Sequence, residues 1–527
     1  MVKFLDNNSG FAQWNANRKS PMSRRSRIGG ALWWMIIFLI SWWLVSIWSG
    51  PRQKAAVPSA PTPIEDISHV PVTRVGDAVM TADVRGLGIN NIALHDFKSA
   101  GADTPVVLLG GDASRAVSGL MATSTTAPTA TTVWKMDGNT MTWHSPDGVE
   151  YNRAVVVDQY VMTITDTVHN RSGHDIHIAP YGRIIRENGD VQTAGVFAGA
   201  LARVDGRMME NDWRDLDRHT YAYTSNSGFA GFADQYWETI MMIDAPDQTI
   251  RMKKLDGGDD NPHYQIEIAA SARRIASGDT DVFTTRLYTG PRSQAELAAA
   301  ASVIPGISKT MDYGWFWFLS RPMLWALNAL NAVVMNYGVA IILLTIALRL
   351  LMWPLTRKSY ASMMVMQKMQ PEMARIQKQF ANDKPRMQME MMRLYKTHKT
   401  SPMSGCLPML IQIPIFFALY KALLISVQMR SAHFLWISDL AVMDPYFILP
   451  ILMGATMWWQ QRLQTASVSH GGGNDVAAQT QKMMKWMPIL FTIMFAWMPA
   501  GLVLYWTVSN LFGIVQMFVI KRASKRS

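Results

Sequence analysis

Apolar and polar positions fall into three regimes along the 527 residues. The first is a wholly apolar, uncharged run from Ile28 to about Trp48, preceded by a polar stretch ending in Arg18, Lys19, Arg24, Arg25 and Arg27. A transmembrane helix needs about 20 such residues, so 28–49 reads as a membrane helix. Basic flanks stay inside, which makes 1–27 a cytoplasmic tail. A cleaved signal peptide would carry a shorter apolar core of about 7–15 residues, so the run reads as an uncleaved anchor. The second regime, from about 75 to 300, roughly alternates. Val155, Val157, Tyr160, Met162 and Ile164 show it best, and a period of two marks half-buried strands. Turn clusters punctuate it at Pro146-Asp147-Gly148, Asn170-Arg171-Ser172-Gly173, Asn188-Gly189 and Asp256-Gly257-Gly258. These signals predict an antiparallel β-sandwich closed by a helix near Ser293–Ala301. A Pro- and Ala-rich stretch, Pro51–Pro63, reads as an extended linker. Together 50–310 read as an external sandwich domain with an N-terminal linker.

The third regime begins at Tyr313. Residues 311–331 are aromatic, carry Arg321 as their single base and are broken by Pro322, a pattern suited to a helix lying in the membrane interface. Five further apolar spans follow, at 332–353, 406–428, 446–461, 486–499 and 501–520. The third and fourth are short for a hydrocarbon core of about 30 Å. The last two are separated only by Met498-Pro499-Ala500-Gly501 and read as a hairpin. With the first helix the count is six spans, both termini cytoplasmic. Charge placement agrees with this topology. Arg357–Lys399, within the cytoplasmic segment 354–405, holds ten Lys/Arg against Glu372, Asp383 and Glu390. The cytoplasmic loop 462–485 carries Arg462, Lys482 and Lys485 against Asp475, and the tail 521–527 carries Lys521, Arg522, Lys525 and Arg526. The external loop 429–445 has Arg430 against Asp439 and Asp444. Every short loop obeys the positive-inside rule.

Composition changes this picture in three ways. The net charge of +11 falls beside the apolar spans, where anionic lipid or ribosome explains it. The single cysteine, Cys406, excludes an intrachain disulfide, so the sandwich must be held by its core. Methionine is abundant, at 38 residues, and ten of them lie in Ser359–Ser404, interrupted by Asn382-Asp383-Lys384-Pro385. Two helices of about 20 residues folded back on each other fit that segment. Their Met residues, among them Met363, Met366, Met369, Met389 and Met392, either pack the seam or offer a soft surface for transient apolar contacts.

No enzyme motif emerges: there is no GxxxxGK[ST], HExxH, GxSxG or CxxC, and the histidines lack metal spacing. No cofactor, metal or catalytic residue is expected. The chemistry that stands out is polar residues inside apolar spans. Arg349 lies four residues after Thr345, on one helix face. Gln412 lies in the next span, and Tyr505, Ser509 and Gln516 share a face of the last. Ionisable residues in spans usually face a bundle interior or a wet cavity. Snorkelling is the alternative for Arg349, which is about 7.5 Å of helix rise from Pro354. Lys421, about 24 Å of rise from Gly405, reads as snorkelling to the outer interface.

Four stretches carry a family likeness. Leu344–Tyr360 (LTIALRLLMWPLTRKSY), Gly405–Tyr420 (GCLPMLIQIPIFFALY), Asp444–Gly454 (DPYFILPILMG) and Pro499–Asn510 (PAGLVLYWTVSN) resemble, in order, the core helices of the YidC family of membrane insertases. Gly228–Ala245 and Leu287–Gly290 resemble its periplasmic domain more weakly. The resemblance implies a five-helix core enclosing a hydrophilic groove, open to cytoplasm and lipid, with a periplasmic supersandwich. It implies that Arg349 is the groove arginine, with Thr345 and Tyr505 lining or contacting it; Gln412 and Ser509, read from the polar pattern of their own spans, would join them in the groove. It implies insertion and folding of nascent membrane proteins in a bacterial inner membrane, alone or with the Sec translocon. The basic loops and tail would meet ribosome or lipid. Lys421 stands where the resemblance implies an apolar or aromatic residue. A passive channel or lipid transporter, and a scaffold for helices already inserted, are the other classes the sequence leaves open.

Overall fold

A computed structural model describes residues 70–99, 102–111, 114–137, 140–187, 196–255, 262–398, 407–430, 432–465 and 486–526. The predicted tail 1–27, the first predicted span 28–49, the linker 51–63 and most of the loop 462–485 lie outside the described residues, as does Cys406.

The alternating region folds into two antiparallel sheets. One has ten strands, running in spatial order Thr73–Gly76, Met80–Arg85, Gly88–Lys98, Arg115–Ala122, Ile176–Glu187, His263–Ala269, Gln248–Leu255 and Tyr221–Ser225, with two short strands at its side. The other has nine: Arg207–Asp212, Gly199–Val204, Gly228–Ala233, Trp237–Ile243, Thr280–Pro291, Val161–Asn170, Val149–Asp158, Thr140–His144 and Lys135–Asp137. Val149–Asp158 and Val161–Asn170 bury every second side chain for most of their length, because a pleated strand points successive residues to opposite faces. Ile164, Ile184, Ile240, Ile250, Ile266 and Leu287 meet in the shared core. Arg153 is buried there too. It donates to Asp166 at 2.7 and 2.9 Å and, across to the other sheet, to the Ser118 carbonyl at 2.8 Å, so the charge is both paired and hydrogen-bonded, as burial demands.

A short helix, α1 (Trp213–Arg218), packs beside this core, and α2 (Gln294–Ala300) closes the domain where predicted. Arg292, just before α2, is buried. It donates to the carbonyls of Asp234 (2.6 Å), Phe197 (3.2 Å) and Thr310, and its Nε lies 3.4 Å from Glu238. The turn that leaves the sandwich is thereby fixed to the sheet beneath it.

The remaining helices are α3 (Trp317–Val334), α4 (Tyr337–Leu351), α5 (Trp353–Gln379), α6 (Lys384–Thr397), α7 (Leu407–Leu424), α8 (Ile448–Thr465), α9 (Trp486–Phe495) and α10 (Ala500–Arg526). The aromatic segment forms α3. It starts at Trp317 rather than 311, because Asp312–Gly314 is a turn, and Pro322 sits inside it without breaking it. Met323, Leu324 and Leu327 face the protein while Trp317, Phe318 and Trp325 stay exposed, the two-faced pattern of an interfacial helix. Asn336 caps α4 by accepting from the Val339 N–H at 3.1 Å. The methionine-rich segment is a helical hairpin of unequal arms, 27 and 14 residues, rather than two of about 20. The second arm starts at Lys384-Pro385, with Asp383 as N-cap, as the missing N–H of proline favours. The final helix continues through the basic tail to Arg526 instead of ending at 520.

By length and apolarity α10 alone, over Ala500–Ile520, suffices to cross a membrane among the described residues. Helices α4 and α5 pass as a pair bent by 59°, and Leu410–Leu424 and Trp486–Phe495 are shorter apolar pieces. The described residues thus supply fewer full-length crossings than the six spans predicted.

Candidate functional site

Three helices bring the sequence-predicted polar residues together. Arg349, near the end of α4, donates from Nε to the Ser509 hydroxyl on α10 at 2.7 Å, and its Nη2 contacts the same oxygen. One turn earlier on α10, the Tyr505 hydroxyl accepts from Nε2 of Gln412 on α7. Farther along, Gln516 donates to the Arg349 carbonyl at 3.4 Å. Positions 505, 509 and 516 recur on one side of α10 because 3.6 residues complete each turn. Tyr505, Ser509 and Gln516 are buried and Arg349 is half-buried. Among the described residues no carboxylate lies within ion-pair distance of Arg349; its side chain is held by a hydroxyl, not by a counter-charge.

Thr345 shares the helix face of Arg349 but is fully buried, and its hydroxyl donates to the Ile341 carbonyl of its own helix at 2.6 Å. It shapes the α4 surface and offers its hydroxyl to α4 itself. A second polar seam, on the other side of α10, joins it to α8: Asn510 donates to Thr456 Oγ1 at 3.3 Å and to the Met453 carbonyl at 3.5 Å. Close approach of α8 to α9 and to α10 uses small residues. A Cβ on Gly454 would lie 1.9 Å from the Thr492 hydroxyl oxygen, and one on Gly513 would lie 2.9 Å from Gln460 Nε2.

The methionines divide. Met389 and Met392 are exposed on α6, Met366 is half-buried and Met369 is buried. The side chain of Met363 lies outside the described residues, as do those of Lys521, Lys525 and Arg526, while Arg522 is exposed. Sequence reasoning misplaced Lys421. It does not snorkel: its Nζ lies 2.5 Å from Asp312 Oδ2, with the lysine side chain only 10% exposed. The sequence signal for that partner was the lone acid at the head of the interfacial segment, since ionisable residues of spans often pair with one another.

Two family models divide the chain between them. The YidC periplasmic domain matches residues 76–326 and the 60Kd inner membrane protein family matches 329–527. The membrane protein insertase YidC of Magnetococcus marinus is 35% identical over 412 residues, covering 75% of this chain and 72% of the relative. The same-named protein of Aeromonas hydrophila is 35% identical over 393 residues, covering 72% and 70%. A galactose mutarotase-like protein from Lactobacillus casei overlaps 42% of the chain, with all of its own length covered, at 9% identity and a TM-score of 0.31, too little to carry any argument. The boundary between the two family matches falls inside α3, where the sandwich hands over to the helical core, and the chain belongs to the YidC family of membrane protein insertases.

Proposed function

We propose that this chain inserts and helps fold integral membrane proteins in a bacterial inner membrane, and that the cluster of Arg349, Gln412, Tyr505 and Ser509 is where the translocating polar tail of a passenger is received. The supporting observation is Arg349 itself, a cation inside a helix bundle with no carboxylate partner among the described residues. Placing arginine within a span costs up to roughly 2.5–3.5 kcal/mol on insertion scales, the full figure applying at the centre, so a leucine would serve the helix better unless the charge has a use.

The physics gives that use. A polar tail crossing hydrocarbon loses several kcal/mol for each unpaired polar group. A hydrophilic groove reaching partway across shortens the dry path, and Arg349 attracts acidic residues of the tail. The passenger's apolar helix then leaves sideways into lipid, gaining about 0.3–0.6 kcal/mol for each Leu, Ile, Phe or Val. The short apolar helices around the cluster would thin the bilayer locally. No step needs a cofactor; partitioning of the passenger, or a partner, drives it.

In this reading the sandwich lies in the periplasm, the α5–α6 hairpin lies in the cytoplasm, and both termini are cytoplasmic. Met363, Met366, Met389 and Met392 contact emerging apolar segments, while the buried Met369 packs the hairpin. Lys521, Arg522, Lys525 and Arg526 meet ribosomal RNA or anionic lipid, and the chain works alone or together with the Sec translocon. Reconstitution into protein-free liposomes tests the core of this proposal. Insertion of a small test protein by this chain alone is expected. Ion leakage without insertion would make it a channel, and assembly without insertion would make it a scaffold.

A further inference from the structure

Lys421 is the second cation of the helical core, and its surroundings differ from those of Arg349. Its Nζ meets Asp312 Oδ2 at 2.5 Å, and the other carboxylate oxygen accepts from the Gly314 N–H at 2.9 Å. Gly314 sits at φ +70°, and a Cβ there would come within 3.2 Å of Lys421 Cγ. The chain from Asp312 to Phe316 therefore folds over the lysine stem in a turn that only glycine adopts freely. One turn earlier on α7, Phe417 stacks on Phe316, with ring centroids 6.4 Å apart and planes 17° apart. Lys421 and Phe417 thus present one face of α7 to this segment. The sandwich reaches the same helix end, where Gln235 donates to the Leu424 carbonyl at 2.9 Å, one of the acceptors a helix C-terminus leaves open. Arg292 and Glu210, both from the sandwich, lie within Coulombic reach of the pair. Elsewhere on α7, Phe416 packs on Phe495 and Trp506, and Gln412 reaches Tyr505. The helix is held between a strap on one side and the polar cluster on the other.

A half-buried ion pair adds little net stability, because desolvation and solvent screening offset the Coulomb gain, so the pair's value lies in geometry. We propose that Asp312 and Lys421 are positioning residues of the insertase: their ion pair straps the outer end of α7 to the segment leading into α3 and so holds Gln412 in register with Tyr505. This rests on the reading of that cluster as the passenger's contact. The strap acts through α7 and does not touch the passenger.

The test uses the full chain with Cys406→Ser, carrying nitroxide labels at Leu410→Cys on α7 and Leu511→Cys on α10, both exposed positions. Lys421→Met or Asp312→Asn should broaden the label-to-label distance distribution and lower insertion of a passenger with a polar translocated tail severalfold. The charge swap Asp312→Lys with Lys421→Asp should restore both. An unchanged distance distribution with normal insertion, in folded single variants, overturns the strap. Should Lys421→Met fail to accumulate, Asp312→Asn and the swap carry the same comparison. Arg349→Ala is assayed beside them. Normal insertion by Arg349→Ala with impaired strap variants would sink the cluster reading and leave the strap; the reverse would sink the strap alone.

Discussion

Arg349 and Ser509 lie 160 residues apart in sequence yet meet at 2.7 Å across the α4–α10 contact. A neutral hydroxyl orients the guanidinium without pairing its charge, and the proposed reception of acidic tails rests on that. Tyr505, one turn from Ser509, ties the same surface to α7 through Gln412.

Charge at position 349 should set passenger selectivity. Arg349→Ala is expected to impair insertion of passengers with acidic translocated tails while the protein stays folded. Arg349→Lys should largely retain function, because attraction needs a point charge and not a bidentate fork. Arg349→Glu should be worst for acidic tails, and a cation introduced by Tyr505→Lys should partly rescue Arg349→Ala. Measuring one passenger with acidic, neutral and basic tails separates this from snorkelling, under which tail charge would make no difference.

Deleting 90–280 should leave insertion largely intact. The polar membrane cluster and the Asp312–Lys421 pair both lie outside that range. At the end of α7 the deletion takes away Gln235, whose hydrogen bond to the Leu424 carbonyl is worth about 1 kcal/mol. Loss of α3 should be tolerated less, since its buried face joins the core. Abolished insertion by a 90–280 deletion that still accumulates in the membrane would refute the expectation.

Stability should fall as pH rises from about 4.5 to about 7, through Glu238. Burial pushes its carboxyl from 4.5 up to about 7, against the lowering influence of Arg292 and the Thr310 hydroxyl. Between those values the folded chain holds a proton that the unfolded chain releases, so folding is favoured on the acid side and this contribution is gone above the folded value. Melting temperature of the full protein in detergent, followed across that range, should show the slope, and Glu238→Gln should flatten it. A slope unchanged in Glu238→Gln would assign it to another group.

Neutralising Lys521, Arg522, Lys525 and Arg526 together should weaken co-sedimentation with ribosomes, and the wild-type affinity should fall steeply with salt as phosphate contacts release counterions. Binding that is unchanged at low salt would assign these charges to anionic lipid headgroups instead.

Period-two alternation around Val155–Ile164 was enough to place the sandwich, because a strand exposed on one face must repeat every two residues. Spacing alone put Arg349 on the Thr345 face, and Tyr505, Ser509 and Gln516 on another, because helical geometry is local. Helix ends were less legible. The turn at Asp312–Gly314 delayed α3, and nothing local stopped α10 at residue 520 before the basic tail.

Partners across the fold were decided only by tertiary structure. The sequence offers Lys421 an interface to snorkel to; the fold instead brings Asp312, 109 residues away, to 2.5 Å. The fold alone determines that the Thr345 hydroxyl turns back on its own helix, that Met369 is buried while Met389 is exposed, and that Ser509 rather than a carboxylate meets Arg349. Periodicity fixes which way a side chain points from its own element. What it meets there depends on contacts between distant segments, and no local pattern of apolar and polar residues encodes those.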